Sequence, residues 1–78
     1  MTLDMLPIGK SGIIKSTGGE NSLRLRLLDM GLIPRTRVTV RSQAPMGDPI
    51  ILNLRGYDLS LRREDAGYIE IAEEDITK

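Results

Sequence analysis

From Thr36 onward the apolar residues fall at every second position, in short runs broken by Pro, Gly and Asp, and no other feature narrows the fold as much. Val38 and Val40 alternate with Arg37, Thr39 and Arg41, and Leu52 and Leu54 alternate with Asn53 and Arg55. A period of two builds half-buried strands with one face inward. Five strands are predicted, at about 12–17, 36–43, 50–55, 58–63 and 68–72. Gly56-Tyr57 suits a two-residue type II′ loop, which sets Leu54 opposite Leu59 and Leu52 opposite Leu61, with Arg55 opposite Asp58 and Asn53 opposite Ser60 on the other face. A slip of one residue would turn the leucines to solvent.

The period breaks once, in the segment that begins at Asn21 or Ser22. Either residue can cap a helix whose Leu23, Leu27 and Met30 recur at i, i+4 and i+7, with Leu28 beside them and Leu25 pointing away. Gly31 suits the left-handed position that ends it, and Pro34 blocks continuation. So short a helix holds only by packing on a sheet. The fold class predicted is therefore mainly β, a small closed or nearly closed five-stranded barrel with one short α-helix inserted after the first strand. Its core candidates are Ile13, Leu23, Leu27, Leu28, Met30, Val38, Val40, Ile50, Leu52, Leu54, Leu59, Leu61, Ile69 and Ile71. The 78 residues make one domain, with its core at about 3–72 and an acidic tail at 73–78 expected to fray.

Composition excludes much chemistry. With no Cys and no His, the chain has no disulfide, no thiolate or imidazole zinc site, no cysteine nucleophile and no Ser-His-Asp triad. No cofactor site, no metal site and no catalytic residues are expected. No apolar run approaches the roughly 20 residues that cross a bilayer, and the start lacks a basic stretch followed by an apolar one, so a cytoplasmic location is expected. Net charge is zero, but residues 21–63 hold eight Arg against three Asp, and residues 64–78 hold six acids against Lys78. Pairing of the acidic C-terminal strand beside the basic ones would cancel part of that field within a Debye length of about 8 Å.

Two features could carry binding. The segment Gln43-Ala44-Pro45-Met46-Gly47-Asp48-Pro49 is either a rigid hairpin connection or a preorganised tip that displays Met46 at little ordering cost. It does not resemble a phosphate-binding loop. The Arg residues are either a solvated barrel exterior or an electrostatic footprint for phosphates. With Tyr57 and Tyr68 as the only aromatics, a nucleic-acid reading is weak. Leu25 and Ile51 lie on polar faces, and would form an interface patch if they adjoined each other or Met46.

Order then adds to composition. Arg26-Leu27-Leu28-Asp29-Met30-Gly31-Leu32-Ile33-Pro34, Val38-Thr39-Val40, Ala44-Pro45-Met46-Gly47-Asp48-Pro49-Ile50, Gly56-Tyr57 and Leu59-Ser60-Leu61-Arg62 together closely resemble the FeoA family of bacterial ferrous iron transport, over about residues 3–72. The resemblance implies an SH3-like barrel and a non-enzymatic, regulatory role beside the FeoB transporter and its cytosolic GTP-binding domain. Related domains also occur in metal-dependent repressors, which keeps a transition-metal-binding or metal-sensing role as the alternative. Partner-binding candidates are Met46, Gly47 and Asp48 on the loop, Leu25 as a helix-side anchor, and Arg24, Arg55 and Arg62 to steer towards an acidic surface. Edge strands offer a route to weak homo-oligomers. One residue departs from the family pattern: the position after Pro34, usually Gly, is Arg35, and a type I turn is predicted there because Arg disfavours positive φ.

Overall fold

The computed structural model describes residues 1–73. Five antiparallel strands, β1 (Ser11–Thr17), β2 (Arg37–Gln43), β3 (Ile50–Leu54), β4 (Tyr57–Leu61) and β5 (Ile69–Glu73), form one sheet in the order β4-β3-β2-β1-β5. A helix, α1 (Asn21–Asp29), is inserted between β1 and β2, and a 3₁₀ turn at Leu3–Met5 precedes the sheet. Bulges at Lys15 in β1 and Arg41 in β2 shift the register and bend the sheet around its core. The outer edge of β5 is covered by the chain's own start, where the Ile71 amide donates to the Met1 carbonyl and Thr2 bridges Glu70.

The hairpin of β3 and β4 forms where predicted, but with another turn. Its loop is Arg55-Gly56, with φ of 53° and 85°, the pair of positive values that marks a type I′ turn. Leu52 therefore faces Leu59, Ile50 faces Leu61, and Asp58 faces Asn53 rather than Arg55. The sum of paired numbers moves by two, so the leucines keep their face and the core is unaffected. The type I′ turn follows the right-handed twist of the strands, and that gain outweighs the local cost of positive φ at Arg55.

Three further expectations change. Neither Asn21 nor Ser22 caps α1; Glu20 occupies the N-cap position without a side-chain bond. Ile14, not Ile13, is the inward residue of β1, since two adjacent isoleucines leave the parity open to tertiary packing. Strand β4 stops at Leu61, and Arg63–Ala66 form a single helical turn, α2, which buries Ala66. Leu3, Leu6, Leu32 and Ala66 join the core from outside the alternating runs, while Leu23, Met30 and Leu59 pack against it partly buried. Of the acidic segment, Glu73 belongs to β5 opposite Gly12, and the rest lies outside the described residues.

The C-terminal end of α1 shows why its glycine is needed. Gly31 N–H donates to Leu28 O and Leu32 N–H to Leu27 O, the two bonds of a Schellman motif, and both Leu27 and Leu32 are fully buried. Gly31 has φ of 99°, and a Cβ there would sit 2.7 Å from the Tyr57 hydroxyl.

Candidate functional site

The loop between β2 and β3 is braced from one side by a residue that the sequence did not single out. Arg63, the first residue of α2, donates through Nε to Gly47 O (3.0 Å), through Nη1 to Asp4 O (2.8 Å) and through Nη2 to Gln43 Oε1 (2.8 Å). Its backbone N–H donates to Asp48 Oδ1 at 2.8 Å, satisfying an amide that a helix start leaves without a partner. Within the loop, Gly47 N–H donates to Ala44 O and Ala44 N–H to Pro49 O, and Gly47 takes φ of 88°. The result is a fixed tip on which Met46 is 92% exposed. Nothing local betrays Arg63, because its acceptors lie 15 to 59 residues away along the chain.

The same guanidinium reaches the 3₁₀ turn. Met5 follows Asp4, whose carbonyl it binds, and Met46 precedes Gly47, whose carbonyl it also binds. Two exposed methionines, Met5 at 64% and Met46 at 92%, thus each stand one residue from an acceptor of one Arg63 side chain. Unbranched thioether side chains on a rigid frame suit an adaptable protein contact.

The remaining candidates occupy different positions. Leu25 is 59% exposed on α1, whose Arg26 pairs with Asp65 of α2 at 3.3 Å, so α2 is tied both to the helix that carries Leu25 and to the loop that carries Met46. Arg24 is held internally, its Nε donating to Thr17 O at 3.0 Å and locking α1 to β1. Arg62 is exposed beside Asp48, Pro49 and Ser60. Arg55 stands apart from the loop, on the β3–β4 turn, where Nη2 donates to Thr36 Oγ1 at 3.2 Å. Ile51 is half-buried in β3.

The turn after Pro34 also differs from expectation. Arg35 has φ of 75°, and Thr36 N–H donates to Ile33 O, as in a type II turn. The backbone leaves little choice: Arg35 N–H donates to Ile14 O at 2.7 Å and Thr36 O accepts from Ile14 N–H at 2.9 Å, so the turn is stitched to β1 on both sides of the strained residue. Among the described residues, no three of His, Cys, Asp or Glu converge as a metal site, and no helix is long and apolar enough to cross a membrane.

Comparison with known proteins places this architecture. The family model for the FeoA domain matches residues 1–73. The chain belongs to the FeoA family. A relative in Porphyromonas gingivalis, an Fe(2+) transport protein A/Fe(2+) transporter FeoB fusion protein, is 38% identical over 71 residues, which is 91% of this chain but 8% of the fusion's length. The solution structure of the FeoA protein of Chlorobium tepidum superposes with a TM-score of 0.89 at 33% identity, over 100% of this chain and 74% of that one. The zinc complex of Stenotrophomonas maltophilia FeoA, described as a procaryotic SH3 domain protein, superposes with a TM-score of 0.79 over 92% of this chain and 89% of that one. At 22% identity this likeness bears on fold alone, and the five-stranded sheet with its inserted helix is the same SH3-like architecture. The family is associated with ferrous iron transport, and in the fusion the FeoA-like part shares a chain with FeoB.

Proposed function

We propose that this FeoA domain is a non-enzymatic accessory of ferrous iron uptake that docks on the cytosolic part of a FeoB-type transporter through the face around Met46 and Met5. The observation that carries the reading is a fully displayed methionine on a loop with almost no freedom of its own: Met46 is 92% exposed while its neighbours are held by Arg63. A contact residue presented in this way binds without a large ordering cost, and a flexible loop would not. A covalent link to FeoB in the fusion relative supports proximity of the two modules. Arg62, beside Asp48, extends the contact by drawing in acidic groups, and Leu25, exposed on the helix that Arg26 ties to α2, adds an apolar anchor.

Chemical-shift mapping of the labelled chain, titrated with the GTP-binding domain of FeoB and then with the intact transporter in detergent, tests this. Shifts at Met5, Met46, Gly47 and Leu25 are expected, and Met46→Asp, a surface change that leaves the melt unaltered, abolishes them. Undiminished binding by Met46→Asp would sink the proposal.

A further inference from the structure

The sheet has two edges, and the chain covers one of them. Strand β5 is shielded by residues 1–2, whereas β4, at the other end, pairs only with β3. The type I′ loop fixes which backbone groups of β4 are left over. In such a hairpin the residues that flank the loop, Leu54 and Tyr57, exchange hydrogen bonds, and bonded pairs alternate from there, so Leu59 and Leu61 also bond to β3. The amides and carbonyls of Asp58 and Ser60 therefore point outward, and among the described residues no backbone group meets them. Arg62, with φ of −66° and ψ of 140°, continues the extended course, and its N–H points the same way. With no Pro, no Lys and no break in register, β4 lacks the usual devices that keep an edge from pairing.

The exposed side chains along this edge, those of Asp58, Ser60 and Arg62, select the occupant. Asn53 Nδ2 at 2.9 Å and Arg41 at 3.8 Å both reach Asp58 Oδ1, which leaves Oδ2 open. The Arg62 guanidinium has no hydrogen-bond or ionic partner among the described residues. An acid and a base with Ser60 midway between them make the edge complementary to itself. In an antiparallel pair centred on Ser60, each Asp58 falls opposite the Arg62 of the other strand. Sliding the pair by two residues sets Asp58 against Ser60, and sliding it by four sets Asp58 against its own copy, where like charges repel.

We propose that the β4 edge binds a second copy of this chain, joining two sheets across a two-fold axis at Ser60. The Ser60 N–H and carbonyl of each copy exchange bonds with those of the other, each Arg62 N–H donates to the other copy's Asp58 carbonyl, and the two Asp58–Arg62 ion pairs flank them. On the inner face, Leu59, half-buried in one copy, lies across from Leu61 of the other. Because the β5 edge is already covered, the contact is the same patch on both copies and closes at a dimer instead of growing into a fibre. A foreign strand would need the reverse charge order at the same spacing, which this chain supplies itself. The inference does not rest on the docking reading, and shares only Arg62 with it.

A contact of one short strand falls at the small end of interfaces, so sedimentation equilibrium of the full chain is followed up to about 1 mM. A reversible dimer is expected, with exchange of the Asp58 and Ser60 amides slowing as concentration rises. Asp58→Arg and Arg62→Asp should each weaken self-association about tenfold, since each sets like charges opposite one another. An equimolar mixture of the two should restore it, because two arginines of one copy then face two aspartates of the other. Ser60→Pro removes an amide that faces away from β3, so the fold stays, as its thermal melt checks, and the dimer is lost. A parent chain monomeric at about 1 mM, a mixture no tighter than its components, or undiminished association of Ser60→Pro would each overturn the proposal. So would a monomer whose Asp58 and Ser60 amides shift on adding the GTP-binding domain of FeoB, which would assign the edge to the transporter.

Discussion

The hydroxyl of Tyr57, at the start of β4, donates to the carbonyl oxygen of Met30 at 3.0 Å and ties the β3–β4 hairpin to the C-terminal end of α1. It satisfies a helix-end carbonyl across 27 residues of sequence. Tyr57→Phe is expected to lower stability by about 1 kcal/mol. Gly31→Ala costs more, about 1–2 kcal/mol from its left-handed backbone alone, with the Tyr57 clash added. Because the clash needs both groups, the double variant recovers part of the loss; urea titrations of the four proteins measure that coupling.

Arg63→Ala removes three side-chain bonds and keeps the backbone bond to Asp48. The expected loss is about 1–3 kcal/mol, with faster amide exchange at Gly47. Arg63→Lys should restore less than half of it, since an ammonium lacks the planar fork that reaches Asp4, Gly47 and Gln43 together. A lysine variant that melts like the parent would show that the brace is electrostatic and not geometric.

Arg35→Gly and Arg55→Asn should each raise stability by roughly 0.5–1 kcal/mol, since the release of backbone strain exceeds the added freedom of the unfolded chain. In a domain of this size that is a rise in Tm of a few degrees. Thermal unfolding that moves down in either variant would mean the arginines contribute to folding through contacts beyond Thr36.

Glu70 is the group through which acid should reach the fold. Its carboxylate accepts a hydrogen bond from the Met1 ammonium at 2.9 Å, and that bond, with the accompanying charge attraction, holds its pKa below the ordinary glutamate value. A depressed carboxylate stabilises the folded state above its unfolded pKa and loses that contribution as pH falls through the folded one. Both groups are exposed, so the effect is small and falls with salt. Below that range the segment at residues 1–2 should loosen from β5, read as faster exchange of the Ile71 amide; Glu70→Gln should remove the pH dependence.

The sheet was legible because period-two alternation is a local signal, and Val38, Val40, Leu52, Leu54, Ile69 and Ile71 turn inward as their parity requires. Faces were read more securely than registers: the β3–β4 turn moved by one residue, and the leucines kept their side. Parity failed at Ile13-Ile14, where both positions are apolar and packing decides. The inward turn of Leu3 and Ala66 was hidden for another reason, since each belongs to an element of four residues or fewer that exists only against the finished sheet, and Leu6 directly follows the first of these. Of the candidate site, Met46 and Leu25 were found exposed as read, whereas the role of Arg63 depends on partners distant in sequence. The positive φ of Arg35 was misread because intrinsic preference was weighed without the two bonds to Ile14 that override it.

The reach of Arg63 has a consequence for when the proposed docking face exists at all. One side chain near the C-terminal end of the fold gathers the start of the chain at Asp4, the end of β2 at Gln43 and the loop at Gly47. Contacts of such long separation close late, after the entropy of the intervening chain has been overcome. A growing chain that has not yet released residue 63 carries Met5 and Met46, but not in register with each other. A partner that reads the two methionines as one surface therefore reads completed folding, and passes over every unfinished copy of the same sequence.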